Sequence, residues 1–495
     1  MDIKLLKDKI LQLAIEGKLV PQDENDEPAS ILLEKIKAEK EQLIKDKVIK
    51  KEKPYPEIEE DEKRFELPNR WEWIRLGEFI RFVGGNQPPK STFKYEYQEG
   101  YIRLIQIRDY KSDSHITYIP VEKAKRFCNK DEIMIGRYGP PIFQILRGIE
   151  GAYNVALMKA DPIEGIIKEY LFYLLKDPKL LKKLEHLASR TCGQDGIDMN
   201  TLKSYVVGLP PIEEQKRIVA KVDELFELID ELDNNKQELL ENISNTRNKV
   251  LQLAIQGKLV EQCEDDEPAS VLLERIKAEK EQLIKDKVIK KEKPLPEISE
   301  EENLFDLPNR WELSRLIDIY RFIDYRGKTP NKIEHGIPFI TAKNVRKGYI
   351  DYTIEEFISE EDFEARKSRG ISQKGDLLFT TEAPMGNVAL ADLENFSAGQ
   401  RLITFQQYTT DEYLINKLFM YFIMSKYFQK QLMDNKTGTT VYGIKADKLK
   451  KLILPIPPLE EQKRIVEKIN IIMNYLDTLQ QEIESQEVIL EDILK

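Results

Sequence analysis

The clearest pattern in the chain is an apolar residue at every third or fourth position along two long stretches. The first begins at Ile218 and steps by four and three residues to Leu253, with only two polar interruptions. The second begins at Ile465 and runs to Ile493 in the same register. A mean spacing of about 3.5 residues keeps one stripe of a helix facing a partner helix. The pattern therefore predicts two long helices with coiled-coil seams.

A shorter run at the amino end, Ile3, Leu6, Ile10 and Leu13, continues the seam that stops at Ile493. We therefore expect residues 1–20 to form a helix that completes the second long helical element. The simplest arrangement pairs the two long elements antiparallel about a pseudo-twofold axis.

Two segments of the chain are repeated almost without change. Residues 10–72 return at 250–312, an offset of 240, and PPIEEQKRIV at 210–219 returns as PPLEEQKRIV at 457–466, an offset of 247. Repetition at fixed offsets indicates two copies of one structural unit. The chain therefore contains two similar frames.

Between these repeats lie two inserts, 73–208 and 313–455, whose sequences have drifted apart. Each combines short apolar strands with a helix. The strands are predicted at 101–107, 132–135, 337–341 and 376–379, the helices at 169–175 and 413–419, and a closing glycine-led turn into a strand at 196–203 and 443–450. The predicted fold class is α/β (α+β), with two mixed α/β domains separated by two long antiparallel coiled-coil helices.

These observations divide the chain into seven predicted segments. They are an amino-terminal helix (1–20), a charged helix and linker (21–66), a first recognition domain (67–208), a central long helix (209–260), a second charged helix and linker (261–306), a second recognition domain (307–455) and a carboxyl-terminal long helix (456–495).

The charged helix is predicted to begin after Asp26, Glu27 and Pro28, with Asp26 as a candidate N-cap. Even its exposed lysines agree between copies, because 36–54 matches 276–294 without a change. One explanation is a recent duplication that has not had time to diverge. The other is that each copy binds one of two identical partner subunits. The Lys/Glu richness alone could also reflect a thermophilic source or genome bias.

The formal net charge of −11 argues against nucleic-acid binding until it is divided along the chain. The first insert carries +5 and the second +3, so the frames hold the acidic excess. Basic inserts on an acidic scaffold would place phosphate attraction on the inserts. An excess this small is also ordinary variation for domains of this size.

Polar, cationic and aromatic residues in the inserts are the candidates for reading bases, since Arg and Lys pair with guanine edges and Asn or Gln with adenine. In the first insert these are Gln87, Lys90, Lys94, Arg108, Tyr110, Arg137, Tyr138, Gln144, Arg147 and Arg190. In the second they are Arg326, Lys328, Asn331, Lys332, Lys343, Asn344, Arg346, Lys347 and Arg369. Any one of them could equally be a solvated surface side chain.

The duplicated frame, the paired PPxEEQKRIV motifs and the LPNRWE run before each insert resemble a specificity subunit of a type I restriction-modification enzyme. The resemblance covers the whole chain. It implies two target recognition domains that each read one half of a split double-stranded DNA sequence, on helices that carry two modification (methyltransferase) subunits. It also implies restriction subunits for translocation and cleavage. S-adenosylmethionine, and ATP with Mg, would then bind to those partners and not to this chain.

Two other classes of function compete with this interpretation. A methyltransferase acting alone would need a polar residue before a Pro-Pro-aromatic loop to hold a flipped adenine, and the nearest string, 138–143, has glycine there. A nuclease would need clustered carboxylates, and the acidic run 360–362 is better explained as a helix start. A coiled-coil architectural protein would explain the seams but not two unlike basic inserts.

Composition places the protein in the cytoplasm in our interpretation. There is no long apolar run and no signal-peptide core. Cys128, Cys192 and Cys263 fit reduced thiols better than disulfides. The three histidines are isolated, so we expect no metal site.

Overall fold

The structure is a computed structural model that describes residues 3–51, 53–139, 141–163, 165–188, 196–299, 302, 306–325, 329–409 and 413–494. The chain divides into two compact units. Unit 1 comprises Met1–Lys236 with Gln486–Lys495, and unit 2 comprises Gln237–Ser485.

The helices of unit 1 are α1 (Ile3–Ile15), α2 (Ala29–Lys45), α3 (Leu76–Phe79), α4 (Lys168–Leu174), α5 (Pro178–Ala188), α6 (Met199–Ser204) and α7 (Ile212–Ile255), of which α7 continues into unit 2. Its strands are β1 (Glu72–Arg75), β2 (Ile80–Gly84), β3 (Tyr101–Ile105), β4 (Tyr118–Pro120), β5 (Phe127–Cys128), β6 (Ile133–Gly136), β7 (Gln144–Leu146), β8 (Gly151–Tyr153), β9 (Leu157–Pro162) and β10 (Val206–Leu209).

The helices that follow are α8 (Ala269–Lys285), α9 (Leu316–Ile319), α10 (Glu360–Arg366), α11 (Asn416–Met424), α12 (Lys426–Asp434), α13 (Ala446–Leu449) and α14 (Leu459–Leu494). The strands of unit 2 are β11 (Glu312–Arg315), β12 (Tyr320–Asp324), β13 (Lys332–Ile333), β14 (Ile337–Ile340), β15 (Phe357–Ile358), β16 (Leu377–Thr380), β17 (Val388–Leu390), β18 (Ser397–Ala398), β19 (Leu402–Gln407) and β20 (Ile453–Ile456).

The two units share one sheet plan. Unit 1 has an antiparallel sheet in the order β2-β9-β6-β7, a mixed sheet β4-β3-β8-β5 in which β3 and β8 run parallel, and a two-stranded ladder β1-β10. Unit 2 has β12-β19-β16-β17, β13-β15-β14-β18 with β14 and β18 parallel, and β11-β20. The predicted fold class is therefore confirmed, and both inserts are mixed α/β domains of the same design.

The long helices pack as the seam predicts at their ends. In unit 2 the last turns of α7 and the first half of α14 share one buried cluster that includes Val250, Ile465 and Ile469. Arg247 Nη2 lies 2.5 Å from Asp477 Oδ1 across this contact. In unit 1 the first half of α7 shares a buried cluster with α1 that includes Ile10, Val222 and Ile229.

The contact between α1 and α7 repeats the same pairing. Lys7 Nζ lies 2.5 Å from Asp230 Oδ1. Lys7 matches Arg247 by the offset of 240, and Asp230 matches Asp477 by the offset of 247. Each unit therefore contains one copy of the same helix pair.

In the middle of α7 the predicted seam is wrong. Leu232 and Leu239 are 57% and 46% exposed, whereas Asp233 and Leu240, one residue further along, are half-buried. The predicted positions on either side, Ile229, Ile243 and Val250, are only 4–6% exposed. The departure from the predicted seam therefore lies between Ile229 and Ile243, and the seam is buried again beyond it.

Three local predictions also need correction. Asp26 does not cap α2: the N-cap position is Pro28, with no side-chain cap. The strands predicted at 196–203 and 443–450 are instead the short helices α6 and α13, each preceding the closing strand. The helix predicted from 413 begins at Asn416, whose Oδ1 accepts hydrogen bonds from Tyr320 and Gln407.

No helix within the described ranges has the length and apolar character needed to cross a membrane.

Candidate nucleic-acid interface

The mixed α/β domain of unit 1 begins and ends at one place. β1 pairs antiparallel with β10, with Glu72 opposite Leu209 and Arg75 opposite Val206. β1 follows the LPNRWE run directly, and β10 leads directly into the PPIEEQ start of α7. The two repeated motifs are therefore neighbours in space.

Glu214, in the first turn of α7, ties these motifs together. Trp71 Nε1 donates to Glu214 Oε2 at 2.9 Å, and Gln22 Nε2 donates to Oε1 at 2.6 Å. Both Trp71 and Glu214 are buried. Burial raises the pKa of the Glu214 carboxyl, against the opposing effect of the two hydrogen bonds. The carboxylate fixes the start of the domain to the helix on which it stands.

The next polar residues of the motif hold two further segments. Gln215 Oε1 accepts from the Ile167 amide at 3.0 Å, and Gln215 Nε2 donates to the Pro210 carbonyl at 3.2 Å. Arg217 forms two hydrogen bonds with the buried carboxylate of Asp26, at 2.6 and 3.2 Å. A two-point Arg–carboxylate pair fixes orientation as well as distance.

Unit 2 repeats this arrangement contact by contact. The equivalent pairs are Trp311 with Glu461 (2.9 Å), Gln262 with Glu461 (2.6 Å), Ile415 with Gln462 (2.9 Å) and Arg464 with Asp266 (2.6 and 3.2 Å). We call each set a junction. The paired motifs are thus structural: they hold a domain in one orientation on its helix.

The loops that follow four strands of unit 1 meet at one edge. This edge, which we call loop edge 1, comprises residues 84–87, 106–109, 137–139, 141–144 and 154–156. The Asn154 amide donates to the Ile105 carbonyl at 3.1 Å, and the Arg137 amide donates to the Ala156 carbonyl at 2.9 Å. Gly85 is in close approach here, because a Cβ on it would lie 1.9 Å from the Asn154 carbonyl oxygen.

Loop edge 1 brings together five of the predicted site residues. They are Gln87, Arg108, Arg137, Tyr138 and Gln144. Gln87 and Arg108 are exposed, and Arg108 stands on the turn directly after β3. Gln144 is half-buried, and its Nε2 donates to the Pro141 carbonyl at 2.9 Å.

The Arg137 side chain is well placed to bind a ligand at this edge. Its guanidinium carbon lies 5.3 Å from the ring centroid of Tyr138, which is 38% exposed. Its Nε is buried and has no hydrogen-bond partner. A planar donor stacked on an exposed ring is suited to a base edge or a phosphate.

The other predicted residues of unit 1 lie elsewhere. Arg147 follows the far end of β7 and stacks 4.1 Å from the centroid of Phe172. Lys90 and Lys94 are exposed beside β4, where the Lys94 amide donates to the Tyr118 carbonyl. Tyr110 packs against a buried cluster, and burial raises its pKa. Arg190 lies outside the described residues.

The corresponding loops of unit 2 form loop edge 2, which comprises residues 324–325, 329–331, 341–345, 381–387 and 399–401. The Gly399 amide donates to the Ile340 carbonyl at 2.7 Å, and the Thr381 amide donates to the Arg401 carbonyl at 2.9 Å. These bonds correspond to those of Asn154 and Arg137 at loop edge 1. The two edges therefore have matching backbone frameworks.

Besides Asn344, four of the residues predicted in unit 2 belong to loop edge 2 or adjoin it. Lys343 is exposed, 3.8 Å from Glu356, and Lys332 lies 2.7 Å from the same carboxylate. Asn331 is exposed, and Arg369 Nη1 donates to the Asp324 carbonyl at 3.3 Å.

Arg346 and Lys347 stand on the next turn, where Arg346 pairs with Asp351 at 3.2 Å and Lys347 is exposed. Arg326 and Lys328 lie outside the described residues.

Asn344 differs from the other candidates because it is buried. Its Oδ1 accepts from the Thr341 amide and hydroxyl, and its Nδ2 donates to the carbonyls of Asp351 and Ile354, all within 3.0 Å. It shapes the loop and offers no group to a ligand. Asp109 accepts from the Gln106 amide at the equivalent position of unit 1.

This match aligns Arg108 with Lys343, each directly before the buried residue. The two side chains are 52% and 68% exposed. An exposed cation therefore occupies the same place in both domains.

Sequence reasoning missed two residues at loop edge 2. Gln400 Nε2 donates to Thr329 Oγ1 at 2.7 Å, and Arg401 Nε lies 2.9 Å from Glu382 Oε1. The available signal was their position directly after the buried pair Ser397–Ala398 that forms β18.

Both loop edges carry hydrogen-bond donors and cations and lack catalytic geometry. Among the residues the structure describes, no group of three or more His, Cys, Asp or Glu side chains could hold a metal ion. The arrangement can bind polar edges and phosphates.

Comparison with known proteins agrees with this geometry. The family model described as Type I restriction modification DNA specificity domain matches residues 68–242 and 308–487. The chain belongs to this family. It is a specificity subunit with two target recognition domains, the non-catalytic recognition component of a type I restriction-modification system.

Relatives match the specificity subunit along most of its length. The specificity subunit of the type I restriction enzyme EcoAI from Escherichia coli is 33% identical over 94% of this chain and 88% of its own. That of EcoEI, also from Escherichia coli, is 29% identical over 98% of this chain and 91% of its own.

Two solved structures share its fold. One is a chain from work on complex assembly and conformational transition of the type I R-M system, with a TM-score of 0.56 at 20% identity, covering 87% of this chain and 97% of that one. The other is the HsdS subunit from Thermoanaerobacter tengcongensis, with a TM-score of 0.51 at 18% identity, covering 88% and 97%.

Proposed function

We propose that the specificity subunit reads a two-part double-stranded DNA target, one half at loop edge 1 and the other at loop edge 2. One observation carries the proposal: the edges have matching backbone hydrogen bonds but different side chains. Arg137 corresponds to Thr381, Tyr138 to Glu382 and Ala156 to Arg401 in this alignment. Two similar frameworks with different donors and acceptors suit the reading of two different short sequences.

We assign Arg108 and Lys343 to direct contact with the DNA, because they are exposed cations at equivalent positions. Arg137, stacked on Tyr138, is the candidate for a two-point contact with guanine, and Gln87 for a contact with adenine. The segment limits given from the sequence, 67–208 and 307–455, are the proposed recognition domains.

The test is to identify the methylated motif in cells that carry the complete system with single variants. Arg108→Ala should relax or abolish reading of one half-site, at a cost of about 1–3 kcal/mol in discrimination, and leave the other half unchanged. Lys343→Ala should do the same to the other half. Lys123→Ala and Lys374→Ala are matched controls, since each removes an exposed lysine at the opposite end of its domain. Loss of both halves in either test variant would contradict separate reading.

A domain exchange tests the same proposal without point substitutions. Replacing residues 313–455 with the equivalent insert of a relative should change one half of the methylated motif. The other half and the spacer should stay the same. An exchange that altered both halves would show that reading is not modular.

We further propose that the chain carries two identical modification subunits, one on each copy of the charged helix. The identical segments 36–54 and 276–294 have the same residue-by-residue burial pattern in α2 and α8. Val48 and Val288, just beyond these helices, are 58% and 53% exposed. An identical exposed surface on each unit is suited to binding the same partner twice.

Native mass spectrometry of the purified complex tests this stoichiometry. We expect two modification subunits per chain, and Val48→Glu with Val288→Glu should release both. The single variant Val48→Glu should leave one bound. A fully active complex with one modification subunit would contradict the proposal. S-adenosylmethionine would bind to the modification subunits, and ATP with Mg to restriction subunits.

A further inference from the structure

A groove of about 740 Å³ runs along the outer side of β2 in unit 1. Its floor extends from Gly77 to Gly84, and its walls are the end of α2 with residues 48–50, and the exposed segment 125–127. The groove reaches loop edge 1 at Gly84, where Arg137 Nη1 lies 4.0 Å from the place a Cβ would take. It therefore extends the proposed reading surface along the side of the domain.

The groove is strongly basic. Of its described lining residues, seven are Lys or Arg and one, Asp161, is acidic. Asp161 is paired with Arg81, and Lys159 is paired with Glu132 outside the lining. Lys125 and Arg126 are exposed, and neither side chain has an ion pair within the described chain. These two exposed cations are suited to contact phosphates.

In unit 2 a larger side chain stands at one position along this side. Tyr408 takes the place that Ile163 has in unit 1. The Tyr408 hydroxyl donates to the Ile317 carbonyl at 2.7 Å and the Tyr320 carbonyl at 3.0 Å. The tyrosine therefore packs along this side of β12, where unit 1 has only the shorter Ile163 side chain beside β2.

Two of the cations are also replaced. Arg126 corresponds to Gly370, and Lys159 to Thr404. The two domains thus differ in the charge of this side as well as in its shape.

We propose that the wall of this groove formed by residues 125–127 binds the phosphate backbone of the duplex that flanks the half-site read by unit 1, whereas the opposite wall, residues 48–50, adjoins the surface proposed for the modification subunit. Charge complementarity and continuity with loop edge 1 both point to DNA as the occupant. The inference rests on the proposed function and adds an asymmetry to it: the protein holds DNA further out on the unit 1 side than on the unit 2 side.

The test measures DNA binding by the complete complex with modification subunits as a function of salt. The variant is Lys125→Ala with Arg126→Ala, and the control is Lys123→Ala with Lys130→Ala, which removes two exposed lysines outside the groove. We expect the variant to lower the slope of log K against log salt by about two. The variant's loss of DNA affinity should disappear on a duplex that ends directly beyond the half-site assigned to unit 1 by Arg108→Ala. It should persist on a duplex that is shortened in the same way at the other end.

Each result has a distinct meaning. An unchanged slope with an unchanged methylated motif overturns the groove proposal and leaves the reading proposal standing. Loss of a modification subunit by native mass spectrometry, with the slope of the intact complex unchanged, would assign the groove to a protein partner and also overturn it. The motif results alone decide the proposed function, since they do not depend on Lys125 or Arg126.

Discussion

Replacing Asp376 with Asn should stabilise unit 2 at neutral and alkaline pH. The Asp376 carboxyl is buried at the start of β16, and burial raises its pKa from the ordinary value of 3.8 to about 7. The Gln373 amide and Gln406 Nε2 both donate to its Oδ2, at 2.8 and 2.9 Å. Because both bonds end on one oxygen, the single oxygen of asparagine can accept them both.

The sign of the effect follows from the direction of the pKa shift. Below about pH 4 the carboxyl is protonated in both the folded and the unfolded chain. Between about pH 4 and pH 7 the unfolded chain releases the proton and the folded chain keeps it, so the free energy of unfolding falls as pH rises. A shift of about three pKa units corresponds to about 4 kcal/mol, and above pH 7 this whole amount is lost.

Asp376→Asn removes this cost. Relative to the unsubstituted chain, its unfolding temperature should be similar near pH 4 and higher by about 10 °C near pH 8, at about 2–4 °C per kcal/mol for a unit of this size. Scanning calorimetry across this pH range makes the measurement.

Glu132→Gln is the matched control, because Glu132 holds the equivalent place in unit 1 but lies 2.7 Å from Lys159. It should lower the stability of unit 1 by about 1 kcal/mol and give no alkaline gain. A difference between Asp376→Asn and the unsubstituted chain that did not change with pH would refute the reasoning.

Two further predictions concern the frame. Trp311→Phe should destabilise unit 2 by about 1–3 kcal/mol in thermal unfolding, because it leaves a buried oxygen of Glu461 without its donor. In the Glu461→Leu background this oxygen is absent, so an equally large loss there would contradict the role. Gly257→Ala should lower the free energy of unfolding, measured by calorimetry, more than Gly375→Ala does. Both glycines have positive φ. A Cβ at Gly257 would lie 2.4 Å from Pro308 Cγ, whereas nothing lies within 4 Å at Gly375. Equal losses would show that the close approach does not matter.

The sequence was most informative where the pattern is local. Apolar spacing predicted α7 because a helix buries one face over many turns. It failed locally at Leu232 and Leu239, which are exposed although Ile229 and Ile243 on either side are buried. The repeated PPxEEQKR motif was visible, but its role was not. Trp71 and Glu214 are 143 positions apart, and only the fold brings them together.

The candidate site was harder to predict for the same reason. Loop edge 1 is assembled from four separate loops, so no spacing in the sequence distinguishes Arg108 and Arg137 from Arg147, which stacks on a helix. Residue type alone was also misleading for Asn344, whose four hydrogen bonds are all used inside the chain. Its equivalence to Asp109 becomes visible only when the strands before both residues are aligned.

The ladders that close each domain explain how such a chain can change its target without losing its shape. β11 and β20 pair over four positions, and Leu313 lies opposite Pro455. An exchange of residues 313–455 therefore interrupts both strands at the same residue pair, and the pair Glu312 and Ile456 stays in the original chain. A replacement domain that can form the remaining pairs of the ladder is then joined to the helix by the same junction. If reading is modular as proposed, recombination at two points would replace a whole recognition domain, while the frame that positions it stays the same.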